Sequence, residues 1–132
     1  MEMIDHAYAL TTEYINQMPK AQRKQYGQFF TSKETAAFMA GLFAIPEDRS
    51  SLSVLDPGAG SGILSIALLE RLESVKTIDR VEFVCYENDP NIIELLRSNM
   101  DWACRQSTKS VSYKIVTDNY ILSQMADYNC SL

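Results

Sequence analysis

The sequence predicts an α/β fold with a parallel sheet, because strand-like and helix-like segments alternate along the chain from residue 52 onward. Three short apolar segments have the length and the β-branched content of buried strands: Leu52–Leu55, Val81–Tyr86 and Val111–Val116. The two segments between them begin near Gly62 and Pro90 and carry apolar residues at helical spacing. Strands and helices in this order form a right-handed βαβαβ unit, so we expect a doubly wound parallel sheet of about three strands.

The length and composition are those of one compact domain with an ordinary core. The chain has 132 residues, of which 46% are hydrophobic and 22% are charged. These values exclude a disordered, collagen-like or coiled-coil protein. The 12 Lys and Arg residues against 17 Asp and Glu residues give a formal charge of -5, which opposes binding to nucleic-acid phosphates. A contact with DNA or RNA would therefore be local or would lie on another part of a larger protein.

The cysteine and histidine content argues against a metal site and against a disulfide framework. Cys85, Cys104 and Cys130 contain no CxxC pair, and His6 is the only histidine. The first residues lack the basic start and apolar run of a signal peptide, and no stretch approaches the roughly 20 apolar residues of a membrane span. We therefore expect no bound metal, a reducing cytoplasmic location and no membrane contact.

Residues 1–45 are predicted to form a helical segment that precedes the sheet, and residues 46–132 are predicted to contain the sheet itself. Apolar residues at near-helical spacing predict a first helix over Met3–Met18, which stops before Pro19. The basic stretch that follows is interpreted as a solvated loop. Its charged residues are Lys20, Arg23 and Lys24.

A further helix is predicted from Thr31 to about Phe43. Thr31 and Glu34 have the spacing of a capping box, in which the first side chain accepts a hydrogen bond from the helix N-terminus. Phe30 has no apolar partner at Thr35 with which to form a hydrophobic staple. A structural role therefore explains Phe30 less well than it explains Thr31.

A glycine-rich loop follows the first predicted strand, with the sequence Asp56-Pro57-Gly58-Ala59-Gly60-Ser61-Gly62. Glycines at alternate positions let the backbone turn sharply and bring its N–H groups close to a ligand at a helix N-terminus. The alternative is a plain strand-to-helix turn, but such a turn needs fewer glycines and no preceding acid. The spacing GxGxG also differs from the GxGxxG fingerprint of dinucleotide-binding proteins.

Acidic residues follow each of the three predicted strands, at the edge where a parallel sheet binds its ligands. Asp56 would repel a pyrophosphate but attract an ammonium group, which favours S-adenosyl-L-methionine (SAM) over a dinucleotide. Glu87 follows the second strand, where a carboxylate accepts hydrogen bonds from ribose hydroxyls; a plain surface acid is the alternative. Asp118 follows the third strand, where it is either an acceptor for the amine of an adenine or part of a turn.

Three residues near these acids have structural interpretations. Asp89 is predicted to cap the helix that begins at Pro90 rather than to bind a ligand. Tyr120 is placed to pack on a ring face, but a turn is favoured for Asn119 and Tyr120. Tyr120–Met125 is expected to begin another helix.

Three segments together resemble the adenine-specific DNA methyltransferases of restriction-modification systems. The segments are Gly27-Gln28-Phe29-Phe30-Thr31 (the GQFFT segment), Leu55–Gly62 and Tyr86–Pro90. The glycine loop alone would indicate only a SAM-dependent methyltransferase, whereas the GQFFT segment points to adenine in DNA. The resemblance runs over about residues 24–122 and implies a Rossmann-like class I SAM-dependent methyltransferase fold.

The resemblance also implies roles for individual residues, with SAM as the cofactor. Glu87 would hold the ribose of SAM and Asp118 its adenine. Phe30 and Thr31 would close over the methionine end, although Thr31 keeps its alternative role as a helix cap. The residues that would hold the methionine part are Asp56, Gly58, Gly60 and Gly62.

The catalytic segment of this family, Asn-Pro-Pro followed by an aromatic residue, does not occur in the 132 residues, whose 4 prolines are never adjacent. No catalytic residue is therefore assigned. Residues 46–132 are interpreted as a SAM-binding half-domain, from a fragment, a split subunit or a remnant, with DNA contacted by parts outside this chain. The edge of the first strand would be covered by the N-terminal helix, by a second copy of the chain (a homodimer) or by a downstream catalytic region.

Two other functions stay open at this point. A class I SAM-dependent methyltransferase that acts on RNA, on a protein or on a small molecule would share the glycine loop and Glu87. A non-catalytic SAM-binding remnant that serves subunit assembly would keep the same fold with a vestigial pocket.

Overall fold

The computed structural model describes residues 2–125, apart from the side chains of Gln28 and Phe29. These residues form one parallel sheet and helices that pack together on it. The helices are α1 (Glu2–Asn16), α2 (Lys20–Phe29), α3 (Lys33–Gly41), α4 (Ile63–Leu72), α5 (Pro90–Gln106) and α6 (Tyr120–Ser123). The strands are β1 (Ser51–Asp56), β2 (Arg80–Tyr86) and β3 (Ser110–Val116).

The sheet confirms the predicted βαβαβ unit. Its strands lie in the order β1-β2-β3, and both pairs are parallel. Phe83 of the central strand β2 pairs with Val54 of β1 and with Tyr113 of β3. α4 connects β1 to β2 and α5 connects β2 to β3, and both crossovers step across the sheet in the same direction. Two right-handed crossovers in one direction place both helices on the same face of the sheet.

Within residues 2–125, helices cover one face of the sheet rather than both, as a complete doubly wound sheet would have. Alternate residues of β2 are buried with α4 and α5, namely Val81, Phe83 and Cys85. The register places Ser53, Glu82 and Ser112 in one row on the opposite face, where all of them are exposed. Parallel sheets that are covered on both faces have strands that are apolar throughout, so this polar row fits a solvated face.

The first helix packs on α4 and α5 rather than on the sheet edge. α1 buries Met3, Ile4 and Ala7, and its hydrogen bonds reach residues far along the chain. These bonds join the Met3 N–H to Glu70 Oε1 (2.8 Å), the Tyr14 hydroxyl to the Asn91 carbonyl, and Asn99 Nδ2 to Thr11 Oγ1 (3.4 Å). The main contacts of α1 are thus with α4 and α5, and β1 pairs only with β2 among the described residues, so the cover of its other edge stays a prediction.

Two local expectations for the N-terminal segment are wrong. The basic residues of the expected loop lie on helix α2, and these residues are Lys20, Arg23 and Lys24. The cap of α3 is Ser32, whose hydroxyl accepts a hydrogen bond from the Thr35 N–H at 3.2 Å, so Thr31 is not the cap. Ser and Thr are both good caps, and the sequence alone does not choose between adjacent candidates.

The start of α5 is as predicted. Asp89 is its N-cap and accepts a hydrogen bond from the Asn91 N–H at 2.9 Å, and Pro90 occupies the first turn. A proline is tolerated there because the first helical N–H groups have no partner within the helix.

The structure describes two of the three cysteines. Cys85 is buried and Cys104 is half-buried, and both are free thiols; Cys130 lies outside the described residues. No cluster of His, Cys, Asp and Glu side chains suited to a metal ion occurs among residues 2–125. Across the same residues, no helix has both the length and the apolar character needed to cross a membrane.

Candidate cofactor site

The carboxyl ends of the three strands meet at one edge of the sheet and bring the three predicted ligand-binding segments together. The Ala59 N–H in the glycine loop donates to the carbonyl of Tyr86 at 2.9 Å, at the end of β2. The Glu87 N–H donates in turn to the carbonyl of Val116, at the end of β3, at 3.0 Å. These bonds join the loops into one continuous surface.

Glu87 links the glycine loop to the start of α5. Its Oε1 accepts a hydrogen bond from the Gly60 N–H at 2.9 Å, and its Oε2 accepts one from the Asp89 N–H at 3.0 Å. The side chain is half-buried. Each carboxylate oxygen has a second lone pair, so Glu87 can still accept hydrogen bonds from the hydroxyls of a ligand.

The three glycines of the loop have different surroundings. Gly60 and Gly62 have positive φ angles of 55° and 84°, which amino acids with side chains rarely adopt. A Cβ on Gly62 would lie 2.9 Å from Leu96 Cδ1, so this residue allows α4 to pack closely on α5. A Cβ on Gly58 would meet nothing within 4 Å. Gly58 therefore faces open space, whereas Gly62 lies in the core.

Asp56 lies beneath the loop instead of at its mouth. The residue is 7% exposed, and its Oδ2 accepts a hydrogen bond from the Ser65 hydroxyl at 2.7 Å. Burial raises the pKa of the Asp56 carboxyl; hydrogen bonds from Ser65 and the Gly58 backbone partly offset this rise, and the Glu87 carboxylate adds to it. Asp56 therefore supports the first turn of the loop and places a titratable acid below it.

A cavity of about 530 Å³, named here the strand-end cavity, lies beyond the ends of β2 and β3. The rings of Tyr86 and Tyr120 meet edge to face in its wall, with centroids 5.0 Å apart. Asp118 is exposed on its rim, and the Asn119 side chain caps α6 by accepting from the Leu122 N–H at 3.1 Å. Aromatic walls with a carboxylate at the rim suit a flat heterocycle that carries an amine.

A second cavity of about 360 Å³, the helix-side cavity, adjoins the first. The residues that line both cavities are Gly58, Glu87 and Asn88. Tyr26 of α2 lines its outer wall, and Phe30 lies over Gly60, with a ring carbon 3.7 Å from the position that a Gly60 Cβ would take. Phe30 thus lies against the glycine loop, and its expected closure over the methionine end of SAM stays a prediction.

Not every predicted site residue lines these two cavities. Thr31 is exposed and lines a third cavity of about 310 Å³, which also has Phe30 in its wall. Asp56 and Gly62 are buried behind the loop. The structure thus brings Phe30, Gly58, Gly60, Glu87 and Asp118 to the two adjoining cavities.

Three residues that support the site were not predicted from the sequence. Ser65 bonds to Asp56, and Asn99 Nδ2 donates to the Ser61 carbonyl of the loop at 2.8 Å; neither residue carries a distinguishing sequence signal. Tyr26 lies four residues before Phe30, so a helical interpretation of residues 20–29 would have placed both on the same face.

A glycine loop and carboxylates around a two-part cavity, at the carboxyl edge of a parallel sheet, define a class of proteins that bind nucleotide-like ligands. The family model described as N-6 DNA Methylase matches residues 3–125. The chain therefore belongs to the N-6 DNA methylase family. This match confirms the resemblance to adenine methyltransferases and the Rossmann-like methyltransferase fold that the resemblance implied.

Two curated relatives are named as methyltransferases. The tRNA1(Val) (adenine(37)-N6)-methyltransferase of Cronobacter sakazakii is 32% identical over 75% of this chain and 43% of its own length. The type II methyltransferase M.BsuBI of Bacillus subtilis is 33% identical over 75% of this chain and 19% of its own length. The chain thus spans less than half the length of either relative. No solved structure matches it.

Proposed function

We propose that this chain is the SAM-binding half of an adenine N6-methyltransferase that modifies DNA in a restriction-modification system. The main support is the hydrogen bond from the Gly60 N–H to Glu87, which fixes a carboxylate in the wall shared by both cavities. The family match supports the reaction, and the likeness to a type II methyltransferase supports DNA as the substrate.

The residues around the cavities fit the three parts of SAM. In this proposal the adenine enters the strand-end cavity, where Asp118 accepts from its amine and Tyr120 packs on the ring. Glu87, between the cavities, accepts from the ribose hydroxyls. The amino-acid part occupies the helix-side cavity, beside the loop that Asp56 supports. Both cavities fall in the size range of small-molecule sites, about 300–1,000 Å³.

The chain's own contribution is to bind and orient. Bound SAM supplies the methyl group that is transferred, and its sulfonium makes that group reactive. Glu87 fixes the ribose against the glycine loop, and Phe30 shields the space above Gly60 from water. The segment that holds the target adenine lies outside these residues in this proposal, so alignment of the amine with the methyl group is completed elsewhere.

Calorimetric titration of the purified chain tests the binding half of the proposal. We expect SAM and S-adenosylhomocysteine to bind with micromolar affinity, about -8 to -6 kcal/mol. Glu87→Gln should weaken binding about tenfold, because the group loses its charge and part of its acceptor capacity. The matched control is Glu82→Gln on the exposed face of β2, the strand that Glu87 follows, and this variant should bind like the wild type. Absence of heat and of a thermal shift at millimolar SAM would contradict the proposal.

Methyl transfer tests the other half. We expect the purified chain to transfer no tritiated methyl group from SAM to DNA, since its 132 residues contain no Asn-Pro-Pro-aromatic segment. Incorporation of label into DNA by the chain alone would show that this half of the proposal is wrong.

RNA is the second candidate substrate, because one of the two similar proteins is named as a methyltransferase of an adenine in tRNA. Deletion of the gene in its host, followed by mapping of N6-methyladenine in genomic DNA and in tRNA, separates the two. Loss of a methylated DNA sequence supports the first candidate, and loss of a modified tRNA adenine supports the second.

A further inference from the structure

Tyr26 joins α2 to the cofactor site. Its hydroxyl donates to Asp89 Oδ2 at 2.6 Å, although the two residues are 63 positions apart in the sequence. Asp89 uses its other oxygen to cap α5 through the Asn91 N–H. The acceptor of the Tyr26 hydroxyl is therefore itself held in place by a helix N-terminus.

The connection continues from Asp89 to the glycine loop. The Asp89 N–H donates to Glu87 Oε2, and Glu87 Oε1 accepts from the Gly60 N–H. Three hydrogen bonds thus run from α2 through the start of α5 and the end of β2 to the loop. A carboxylate acceptor makes such bonds stronger than those between neutral groups.

α2 has few other attachments. Among its side chains that the structure describes, Tyr26 is the only one that is not exposed. The Tyr26 ring also stacks on Phe30, with centroids 6.4 Å apart and planes at 26°. The bond at Tyr26 therefore acts on the same helix end from which Phe30 covers Gly60.

We propose that Tyr26 is a positioning residue, which latches α2 across the helix-side cavity so that Phe30 encloses the amino-acid part of the cofactor. This inference rests on the proposed function, since it takes SAM as the ligand of that cavity. Tyr26 acts through Asp89 and Phe30 and takes no part in the chemistry.

The test compares two ligands that differ only at the latched end. S-Adenosylhomocysteine carries an amino-acid part, and 5′-methylthioadenosine lacks it. Tyr26→Phe should weaken S-adenosylhomocysteine about tenfold, as expected for loss of a hydrogen bond to a charged group. The loss should appear as faster dissociation, and the affinity for 5′-methylthioadenosine should stay within twofold of the wild type.

The matched control is Tyr113→Phe, which removes a hydroxyl that bonds to Asp101 near the other end of α5, outside both cavities. This variant should bind both ligands like the wild type. Equal weakening of both ligands by Tyr26→Phe would overturn the proposal, because it would show a general effect on the loop through Glu87. Unchanged binding of S-adenosylhomocysteine would overturn it as well.

A measurement without ligand separates failure of the latch from failure of the proposed function. Hydrogen exchange of the backbone amides of residues 20–29 should be faster in Tyr26→Phe than in the wild type, because α2 has lost its main attachment. Equal exchange would refute the latch even if SAM binds. Failure of the wild type to bind either ligand, with faster exchange in the variant, would refute the proposed ligand and confine Tyr26 to holding α2.

Discussion

At the scale of single residues, the three loop glycines look equivalent in the sequence but differ in the structure. The prediction that glycines and an acid surround a ligand followed from what those residue types allow, and Gly58, Gly60 and Glu87 do line the adjoining cavities. Gly62 was given the same role, but its neighbour is Leu96. That neighbour comes from a distant helix, which local spacing does not reveal.

Alanine at Gly62 should affect stability, whereas alanine at Gly58 should affect ligand binding. Gly62→Ala should cost about 2–4 kcal/mol of unfolding free energy, because it combines an unfavourable positive φ with a clash against Leu96. Gly58→Ala should change stability by less than about 0.5 kcal/mol but weaken SAM binding, because its Cβ enters the shared cavity space. Urea denaturation measures the unfolding free energies, and calorimetric titration measures the SAM affinities. Wild-type SAM affinity in Gly58→Ala would show that the ligand does not approach this residue.

Asp56→Asn should weaken SAM binding and stabilise the free protein. The raised pKa of Asp56 means that its ionised form is less favourable in the folded than in the unfolded chain. The variant should therefore have the higher melting temperature at pH 7.5, and this advantage should shrink as the pH falls through the raised folded-state pKa and disappear below the ordinary value of 3.8, where both states are protonated.

Thermal melts at several pH values measure this effect, with Asp118→Asn as the control at an exposed acid. Because the Asp118 carboxyl is exposed, the control should leave the melting temperature at pH 7.5 close to that of the wild type. A lower melting temperature of Asp56→Asn at pH 7.5 would contradict the account of a desolvated carboxylate.

At the scale of helices and strands, the elements with a clear apolar pattern could be predicted and α2 could not. The strands and the helices α4 and α5 have apolar residues at regular spacing, and Gly62 and Asp89 directly precede the two helices. α2 has the sequence KAQRKQYGQF, which has no apolar stripe to signal a helix. Its position depends on the contacts of Tyr26 and Phe30, and such tertiary contacts determine most helix stability in proteins.

Glu73 ties the end of α4 to the turn between α5 and β3. Its carboxylate accepts hydrogen bonds from the hydroxyls of Ser107 and Thr108 and from the Thr108 N–H. Burial alone would raise the pKa of Glu73, but the bonds from Ser107 and Thr108 and the charge of Lys109 lower it overall. The ionised carboxylate therefore stabilises the folded state.

Glu73→Gln should reduce the unfolding free energy by about 1 kcal/mol at pH 7, a small value because the group is partly exposed. A lowered pKa contributes stability above the ordinary value of 4.5, and this contribution is lost as the pH falls through the folded-state pKa. The difference between wild type and variant should thus shrink at pH 3. Urea denaturation at both pH values measures it, with Glu94→Gln on the exposed side of α5 as control. If the difference in unfolding free energy were the same at both pH values, the charge of Glu73 would not be its cause.

At the scale of the whole molecule, β1 is an edge strand among the residues that the structure describes. Leu55 of β1 is 49% exposed. Other large apolar side chains are exposed on α3 and just after it, ahead of β1 in the sequence, namely Phe38, Leu42 and Phe43. A small cavity of about 220 Å³ lies between Phe43 and the outer side of β1. An open strand edge with exposed apolar residues favours pairing with another chain.

We expect the isolated chain to dimerise through the β1 edge. Leu55→Lys should shift the sedimentation equilibrium toward monomer, because a charge on an edge strand opposes pairing. Leu122→Lys is the control, since this leucine is exposed on α6, away from β1. A wild-type chain that is monomeric at 100 μM would rule out a second copy as the cover and leave a downstream region in that role.

The contacts of α1 also determine when this helix can pack on the rest of the chain during synthesis. The bond between Thr11 and Asn99 spans 88 positions, and those of Met3 and Tyr14 span 67 and 77. At roughly 5–20 residues per second, a ribosome needs roughly 4–18 s to make the stretch between Thr11 and its partner. The first helix to emerge therefore cannot complete its docking until Asn99 has been made, and part of its apolar side stays exposed to solvent until then.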